Sequence, residues 1–86
     1  MITKEQTMTK EEIISDSKEF SLFSWSAQAS VNPIAIERAE GVYLYEYGGN
    51  RIIDFSSGLM SVNIGHGDQR VTAAVVEQME KVSFVT

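Results

Sequence analysis

The stretch Asp54-Phe-Ser-Ser-Gly-Leu-Met-Ser-Val-Asn-Ile-Gly-His-Gly67 lies between a strand pattern and a helix pattern, and it decides how the two are joined. It places three glycines and three serines among apolar residues. Glycine adopts backbone conformations that other residues avoid, and it lets two segments approach closely. The composition therefore predicts a turn that lies close to another segment or to a ligand.

The residues before this stretch predict an antiparallel meander of three strands. A short edge strand begins after Pro33 and ends at Gly41. A second strand covers residues 42–47, where tyrosines alternate with other residues and share one face. The Gly-Gly-Asn sequence at 48–50 predicts a hairpin turn, and residues 51–55 form the return strand. The tyrosine face is interpreted as packing or interface, because no basic residues surround it in the way a base-stacking platform requires.

Helices are predicted on both sides of the meander. Thr9 and Glu12 have the spacing of a capping box, so a short helix is expected from about residue 10 to residue 18. Asp68 is a suitable N-cap for a second helix, whose apolar residues recur on one face. Residues 19–32 combine aromatic residues with serines and predict an extended loop anchored by its aromatic side chains.

The predicted fold class is α+β: an N-terminal helix, a three-stranded antiparallel meander, a glycine-rich turn and a helix. Two parts are expected, with a helix and aromatic arm in residues 1–32 and the other elements in residues 33–86. A chain of this length buries roughly 60–65% of the surface that its unfolded form exposes. The apolar residues at positions 82–85 follow the last helix without a polar end, which predicts a chain truncated at its C-terminus.

Composition narrows the classes of function. The net charge of −5, from 12 acidic and 7 basic residues, does not favour binding to nucleic acid or to an anionic membrane. The absence of cysteine excludes disulfides and thiolate zinc sites, and one histidine cannot form a histidine-rich metal site. The polar N-terminus and the lack of a long apolar run predict a cytoplasmic protein.

Several short motifs follow one another from about residue 20 to the end. They are Ser24-Trp-Ser-Ala-Gln28 with Asn32-Pro33, Glu40-Gly-Val-Tyr-Leu-Tyr45, Gly49-Asn-Arg51, Ile53-Asp-Phe55, Ser57-Gly-Leu59 and Asn63-Ile-Gly-His66. In this order and with these gaps they resemble the amino-terminal segment of the class III aminotransferases. The first pair resembles the branch that contains taurine–pyruvate and related pyruvate-dependent transaminases.

The resemblance implies a pyridoxal 5'-phosphate enzyme of fold type I, of which residues 33–86 would form part of the small domain. Such enzymes move an amino group from an amine or amino acid to a keto acid such as pyruvate, and they build their sites at a homodimer interface. The lysine that carries the cofactor lies far downstream in the family. Lys4, Lys10, Lys18 and Lys81 match no such motif, so no catalytic, cofactor-binding or metal-binding residue is assigned, and this segment alone is expected to be inactive.

The resemblance also places part of a substrate-pocket wall in this chain. Ser57, Gly58, Leu59 and Met60 match a turn on the substrate side of the cofactor pocket. Glycine lets the backbone approach there, while apolar side chains exclude water and limit substrate size. Composition alone favours a different interpretation, in which Leu59 and Met60 fill the core beside a buried turn.

Trp25 is the only tryptophan, and it matches an aromatic residue that closes the pocket in the family. An indole offers a flat apolar face and one N–H donor, which suits a binding wall. The alternative is a plug that anchors the serine-rich arm to the body of the protein or to a second subunit.

The histidine and the charged residues of the quoted stretch are interpreted as structural. His66 could act as a base near neutral pH, and Asp68 is the obvious carboxylate near it in the sequence. Its flanking glycines favour a tight turn in which the ring bonds locally. Asp54 and Arg51 are expected on opposite strand faces, at the surface of the hairpin. The serines of the turn lack the Gly-x-Ser-x-Gly context of hydrolases.

Two other functions are consistent with the residues. A small non-enzymatic α+β module could dock a partner through its tyrosine face or its last helix. The same fold could also serve an aminomutase, a racemase or a decarboxylase, because shared folds host several reactions.

Overall fold

The computed structural model describes residues 7–86, and its elements follow the predicted order. They are α1 (Lys10–Phe20), a 3-10 turn (Gln28–Ser30), β1 (Ile36–Glu40), β2 (Tyr43–Glu46), β3 (Arg51–Ile53), the one-turn helix α2 (Ser57–Met60) and α3 (Gln69–Lys81). The α+β class and the sequence of helix, meander, turn and helix are therefore confirmed.

The three strands form one antiparallel sheet in the order β1-β2-β3. The predicted hairpin turn is confirmed, with φ values of 102° at Gly48 and 96° at Gly49. Arginine side chains cover two rings of the tyrosine face: the Arg38 guanidinium lies 3.7 Å from the ring centre of Tyr45. The Arg51 guanidinium lies similarly over Tyr43. The premise that no basic residues surround the tyrosine face is therefore wrong, while these two rings pack against the protein's own side chains.

Helix α1 begins at the predicted cap and is tied to the sheet. The Thr9 hydroxyl accepts a hydrogen bond from the Glu12 N–H at 3.1 Å, as the capping box predicts. The helix ends at Phe20, two residues later than expected. The Lys10 ammonium lies 3.2 Å from a carboxylate oxygen of Glu46 on β2, which joins helix and hairpin.

The loop after α1 is held by a glutamine, and among the aromatic side chains expected to anchor it Phe23 is half-buried while Phe20 and Trp25 are exposed. The Gln28 amide nitrogen donates to the carbonyls of Lys18 and Ser21 at 2.8 and 2.9 Å. Its amide oxygen accepts from the Phe23 N–H at 3.0 Å. Trp25 is 95% exposed. A polar side chain closes this loop because it can satisfy three backbone groups at once.

Helix α3 begins at Asp68, as predicted. The Asp68 carboxylate accepts from the backbone N–H groups of Arg70 and Val71. Glu77 and Lys81, four residues apart on α3, form an ion pair at 3.2 Å. The apolar face of α3 has formed, but none of its residues is buried.

The chain exposes far more surface than a compact protein of its length. Its accessible area is 7547 Å², whereas about 5100 Å² is expected for a compact monomer. It buries roughly 46% of the extended chain's surface, so the prediction of roughly 60–65% is wrong. Within residues 7–86 the only buried apolar side chain is that of Ala35, at 3% exposure. No helix of the described residues is long and apolar enough to cross a membrane.

Candidate functional site

The turn Ser57–Met60 is wound in the left-handed sense. The φ values of its four residues are 52°, 57°, 61° and 64° in chain order. Left-handed helical backbone costs about 1–2 kcal/mol for each residue other than glycine, and only Gly58 is a glycine. Such strain persists where the surroundings determine the backbone fully, and it is concentrated at functional sites.

Backbone hydrogen bonds close the turn from within. The Met60 N–H donates to the Ser56 carbonyl at 2.8 Å, and the Ser61 N–H donates to the Ser57 carbonyl at 2.8 Å. A side chain at position 58 would meet a neighbour, because a Cβ there would lie 3.1 Å from Cγ2 of Val62. Glycine at this position therefore serves both the backbone conformation and the space.

Asp54 holds the turn from outside. One carboxylate oxygen, Oδ1, accepts from the Gly58 N–H at 3.0 Å, and the other, Oδ2, lies 2.7 Å from Nε2 of His66. The Asp54 side chain is 8% exposed and that of His66 is 21% exposed. The Gly58 N–H, and after it the His66 ring, lowers the pKa of Asp54 below its ordinary value. Because an ionised carboxylate only accepts, Nε2 of His66 carries the hydrogen.

The backbone of His66 is fixed by the turn between β1 and β2. Its N–H donates to the Gly41 carbonyl at 2.8 Å, and its carbonyl accepts from the Gly41 N–H at 3.0 Å. Gly65 permits this approach, since a Cβ there would lie 3.3 Å from the Gly41 carbonyl oxygen. The two glycines bring the histidine to the hairpin, where it meets Asp54.

Sequence reasoning missed this pairing. The expected carboxylate near His66 was Asp68, but Asp68 caps α3 and pairs with Arg70 instead. The predicted surface role of Asp54 is likewise wrong, because its carboxylate is nearly buried beneath the turn. The signal that could have found the pair is the glycine on each side of His66, which allows a bridge to a strand end. The ring of His66 bonds to a carboxylate twelve positions away, so the predicted local bond of the ring is wrong, while a structural role of His66 agrees with these contacts.

The predicted wall residues lie on the surface of the described chain. Leu59 is 65% exposed and Met60 is 79% exposed, so among residues 7–86 neither fills a core. Ser57 and Gly58 form the same turn, and the structure brings these four together with Asp54 and His66. Trp25 lies on the separate loop closed by Gln28, and no hydrogen bond or ring contact links it to the turn within the described residues. Its part in a pocket wall stays a prediction.

The turn supplies shape and apolar surface, without a group that could hold a cofactor. The described lysines lie on helices, Lys10 and Lys18 on α1 and Lys81 on α3. Lys10 pairs with Glu46, and Lys81 pairs with Glu77. Among residues 7–86, no cluster of three or more histidine, aspartate or glutamate side chains could hold a metal ion. Ser57–Met60 contains no lysine, and no chemical step is assigned to the described residues.

Comparison with known proteins identifies a family. The sequence profile described as aminotransferase class-III matches residues 25–86. A probable gamma-aminobutyrate transaminase 4 of Oryza sativa subsp. japonica is 35% identical over 63 residues, which are 72% of this chain and 13% of that protein. The putrescine–pyruvate aminotransferase of Pseudomonas aeruginosa is 41% identical over 49 residues, or 57% of this chain and 11% of that protein.

Solved structures give the same result. The taurine:2-oxoglutarate aminotransferase of Bifidobacterium kashiwanohense, in complex with PLP and glutamate, superposes with a TM-score of 0.82 at 33% identity. The superposition covers 92% of this chain and 18% of that one. The chain thus spans under a fifth of the length of the proteins it matches, while the match extends over most of its own length. It belongs to the class-III aminotransferase family.

Proposed function

We propose that this chain is part of a pyridoxal-phosphate-dependent aminotransferase that moves an amino group from an amine or amino acid to a keto acid such as pyruvate. The observation that carries the proposal is the family match from residue 25 to residue 86. The similar proteins reported above are named as aminotransferases or transaminases. That favours amino transfer over the aminomutase, racemase and decarboxylase alternatives, and it favours an enzyme over a binding module.

Within that enzyme we assign the chain the role of a pocket wall. The exposed apolar side chains of Leu59 and Met60, held on a strained turn, can exclude water from a bound substrate and limit its size. Trp25 would add a flat apolar face if its loop lies beside the turn in the assembled enzyme. Pyridoxal phosphate, when bound, supplies the electron sink for the reaction. The groups that hold it would come from polypeptide other than residues 7–86, and the active assembly would be a homodimer.

The proposal is tested on two polypeptides. One is residues 1–86 alone; the other is the complete gene product, meaning the polypeptide encoded by the whole open reading frame that contains these residues. Each is incubated with pyridoxal phosphate, pyruvate and a panel of amines and amino acids, and alanine formation is measured. The complete gene product should bind the cofactor, seen by visible absorbance, and form alanine, while residues 1–86 alone should do neither.

Three results would contradict parts of this proposal. A complete gene product that folds but shows no cofactor absorbance would reject the enzyme. Turnover by residues 1–86 alone would reject the assignment of a wall without catalytic groups. Sedimentation of the active product as a monomer would reject the homodimer.

The assigned wall has its own test. Leu59→Ala removes apolar bulk from the turn, so it should raise kcat/KM for bulky amino donors relative to small ones, by about tenfold for a full side chain. Leu22→Ala provides the matched control, because Leu22 is equally apolar and is exposed on a different loop. Equal effects of the two substitutions on this ratio would remove Leu59 from the wall.

A further inference from the structure

The conformation of Ser57–Met60 is not explained by the residues that adopt it. Three of the four are not glycine, and Leu59 and Met60 bury little surface within the described residues. Their backbone strain is not offset by their own packing. Something outside the turn must select the left-handed form.

The contacts of Asp54 meet that need. Its Oδ1 accepts from the Gly58 N–H, while its main-chain carbonyl accepts from the Ser57 N–H at 3.3 Å. The first two N–H groups of the turn are thus directed toward one residue. The direction of the Gly58 N–H depends on φ and ψ of Ser57, so its bond to Asp54 favours the left-handed conformation of that first residue. The Ser57 N–H is oriented by the residues before the turn, and its bond to Asp54 fixes where the turn begins.

The contacts of His66 fix the direction of that carboxylate. Its ring nitrogen lies 2.7 Å from the oxygen that does not touch the turn, and its backbone is bonded twice to Gly41. A carboxylate bonded through both oxygens has little freedom to rotate. Asp54 and His66 therefore fix the position of the turn relative to the end of the sheet.

We infer that Asp54 and His66 are positioning residues that hold Ser57–Met60 left-handed and so set the directions of Leu59 and Met60. The inference rests on the proposed function for its effect on substrates, though not for its effect on the turn. Neither residue touches substrate in this account. They act through the turn. Substituting either residue should therefore change the selection of donors by size more than it changes turnover of the smallest donor.

The turn itself is tested by hydrogen exchange on the complete gene product, read by mass spectrometry for a peptide covering residues 57–62. Asp54→Ala and His66→Ala should raise exchange there by about tenfold, since each removes a charge-assisted bond. His66→Gln should keep exchange within about threefold of the original, because the glutamine amide nitrogen can replace Nε2 as donor. A peptide covering β1 and β2 serves as the internal reference.

Asp68→Ala is the matched control. Asp68 also accepts two backbone N–H bonds, but it does so at the start of α3. The Asp68→Ala substitution should raise exchange at the start of α3 and leave exchange of the 57–62 peptide unchanged. If the turn exchanges as slowly in Asp54→Ala and His66→Ala as in the original protein, the inference is overturned. A rise in exchange of equal size in the turn and in the reference peptide would also overturn it.

The second measurement is the ratio of kcat/KM for a bulky amino donor to that for a small one. His66→Ala should shift the ratio by about tenfold, with His66→Gln restoring it. If the turn loosens but this ratio does not change, the turn has no part in selecting donors by size. The inference that Asp54 and His66 hold the turn would still stand. A gene product without transaminase activity whose turn still loosens would reject the proposed function alone.

Discussion

At the scale of single residues, Gly58 combines two constraints that a matched pair of variants can separate. Gly58 and Gly41 have nearly the same φ, +57° and +60°, but a Cβ at position 58 meets Val62 at 3.1 Å while a Cβ at position 41 meets nothing within 4 Å. Alanine at either site is strained by the positive φ, and only alanine at position 58 is also crowded. The difference between the two therefore measures packing alone.

We predict that Gly58→Ala lowers the free energy of unfolding by about 1 kcal/mol more than Gly41→Ala does, because overpacking adds to the backbone strain. Urea unfolding of the complete gene product, followed by circular dichroism, gives both values. Equal losses would show that Val62 moves aside without cost.

Asp54 makes the stability of the fold depend on pH in a defined direction. Its pKa is lowered in the folded state, first by the Gly58 N–H and then by His66. A carboxyl with a lowered folded pKa stabilises the protein above its unfolded pKa of about 3.9, and this contribution is lost as the pH falls through the lower folded value.

The corresponding experiment compares the original protein with Asp54→Asn. Their unfolding midpoints should differ most at neutral pH and converge as the pH falls below about 4, because the titrating carboxylate is absent from the variant. A gap that stays constant from pH 7 to pH 3 would contradict the bond network described here. Asp68, whose pKa is also lowered, is present in both proteins and so does not affect the comparison.

At the scale of elements, the loop between α1 and β1 depends on one side chain. Gln28 bonds to three backbone groups, and Trp25 lies within the loop that these bonds close. Trp25 is the only tryptophan of residues 1–86, so in that polypeptide its fluorescence reports on this loop without added labels.

We predict that Gln28→Ala lowers the fluorescence anisotropy of Trp25 and costs about 1–3 kcal/mol of stability, since three hydrogen bonds are lost. Gln28→Glu should act almost as strongly, because it places a carboxylate oxygen against the carbonyls of Lys18 and Ser21. Gln69→Ala is the control, as Gln69 makes a local bond to Gly67 far along the chain. An unchanged anisotropy in both Gln28 variants would mean that other contacts hold the loop.

The elements that could be predicted from sequence are those with local signals. The caps at Thr9 and Asp68 and the glycines at 48–49 act within a few residues of the structure they determine, and each prediction was confirmed. The left-handed turn carries one glycine in four residues, so nothing local distinguishes it from an ordinary turn. Its conformation depends on Asp54, and the contact of Asp54 with His66 bridges twelve positions of sequence.

The same limit explains the loop after α1. Aromatic residues among serines suggested anchoring by burial, yet the structure closes the loop with the amide of Gln28. A glutamine is common in sequences and carries no local signal. The three backbone groups that Gln28 bonds are brought together only when the chain folds. The wall residues came from family resemblance, because exposure of Leu59 and Met60 could not be read from composition.

At the scale of the whole molecule, the apolar surface is the dominant feature. The chain exposes 7547 Å², about half as much again as a compact monomer of its length would expose. The apolar face of α3 contributes to this excess, with Val75 and Met79 both exposed. If the chain is part of a larger enzyme, as proposed, this face is covered by polypeptide beyond residues 7–86.

Residues 1–86 studied alone should therefore behave as a weakly stable and self-associating chain. The slope of its unfolding free energy with urea should be about a quarter smaller than for a compact protein of the same length, because that slope scales with the surface exposed on unfolding. A normal slope together with a monomeric mass by light scattering would contradict the structure's open surface.

Placing a charge on α3 tests whether that surface is covered in the complete gene product. Val75→Glu should reduce association of residues 1–86 and change its stability by no more than about 0.5 kcal/mol, because the side chain is exposed there. In the complete gene product it should destabilise by several times that amount, since an unpaired carboxylate would enter an apolar contact. Ala73→Glu is the matched control, because residue 73 lies on the other side of the helix from residue 75. If the two substitutions are tolerated equally in the complete product, the apolar face of α3 stays open to water there, and the segment is held to its enzyme by other contacts.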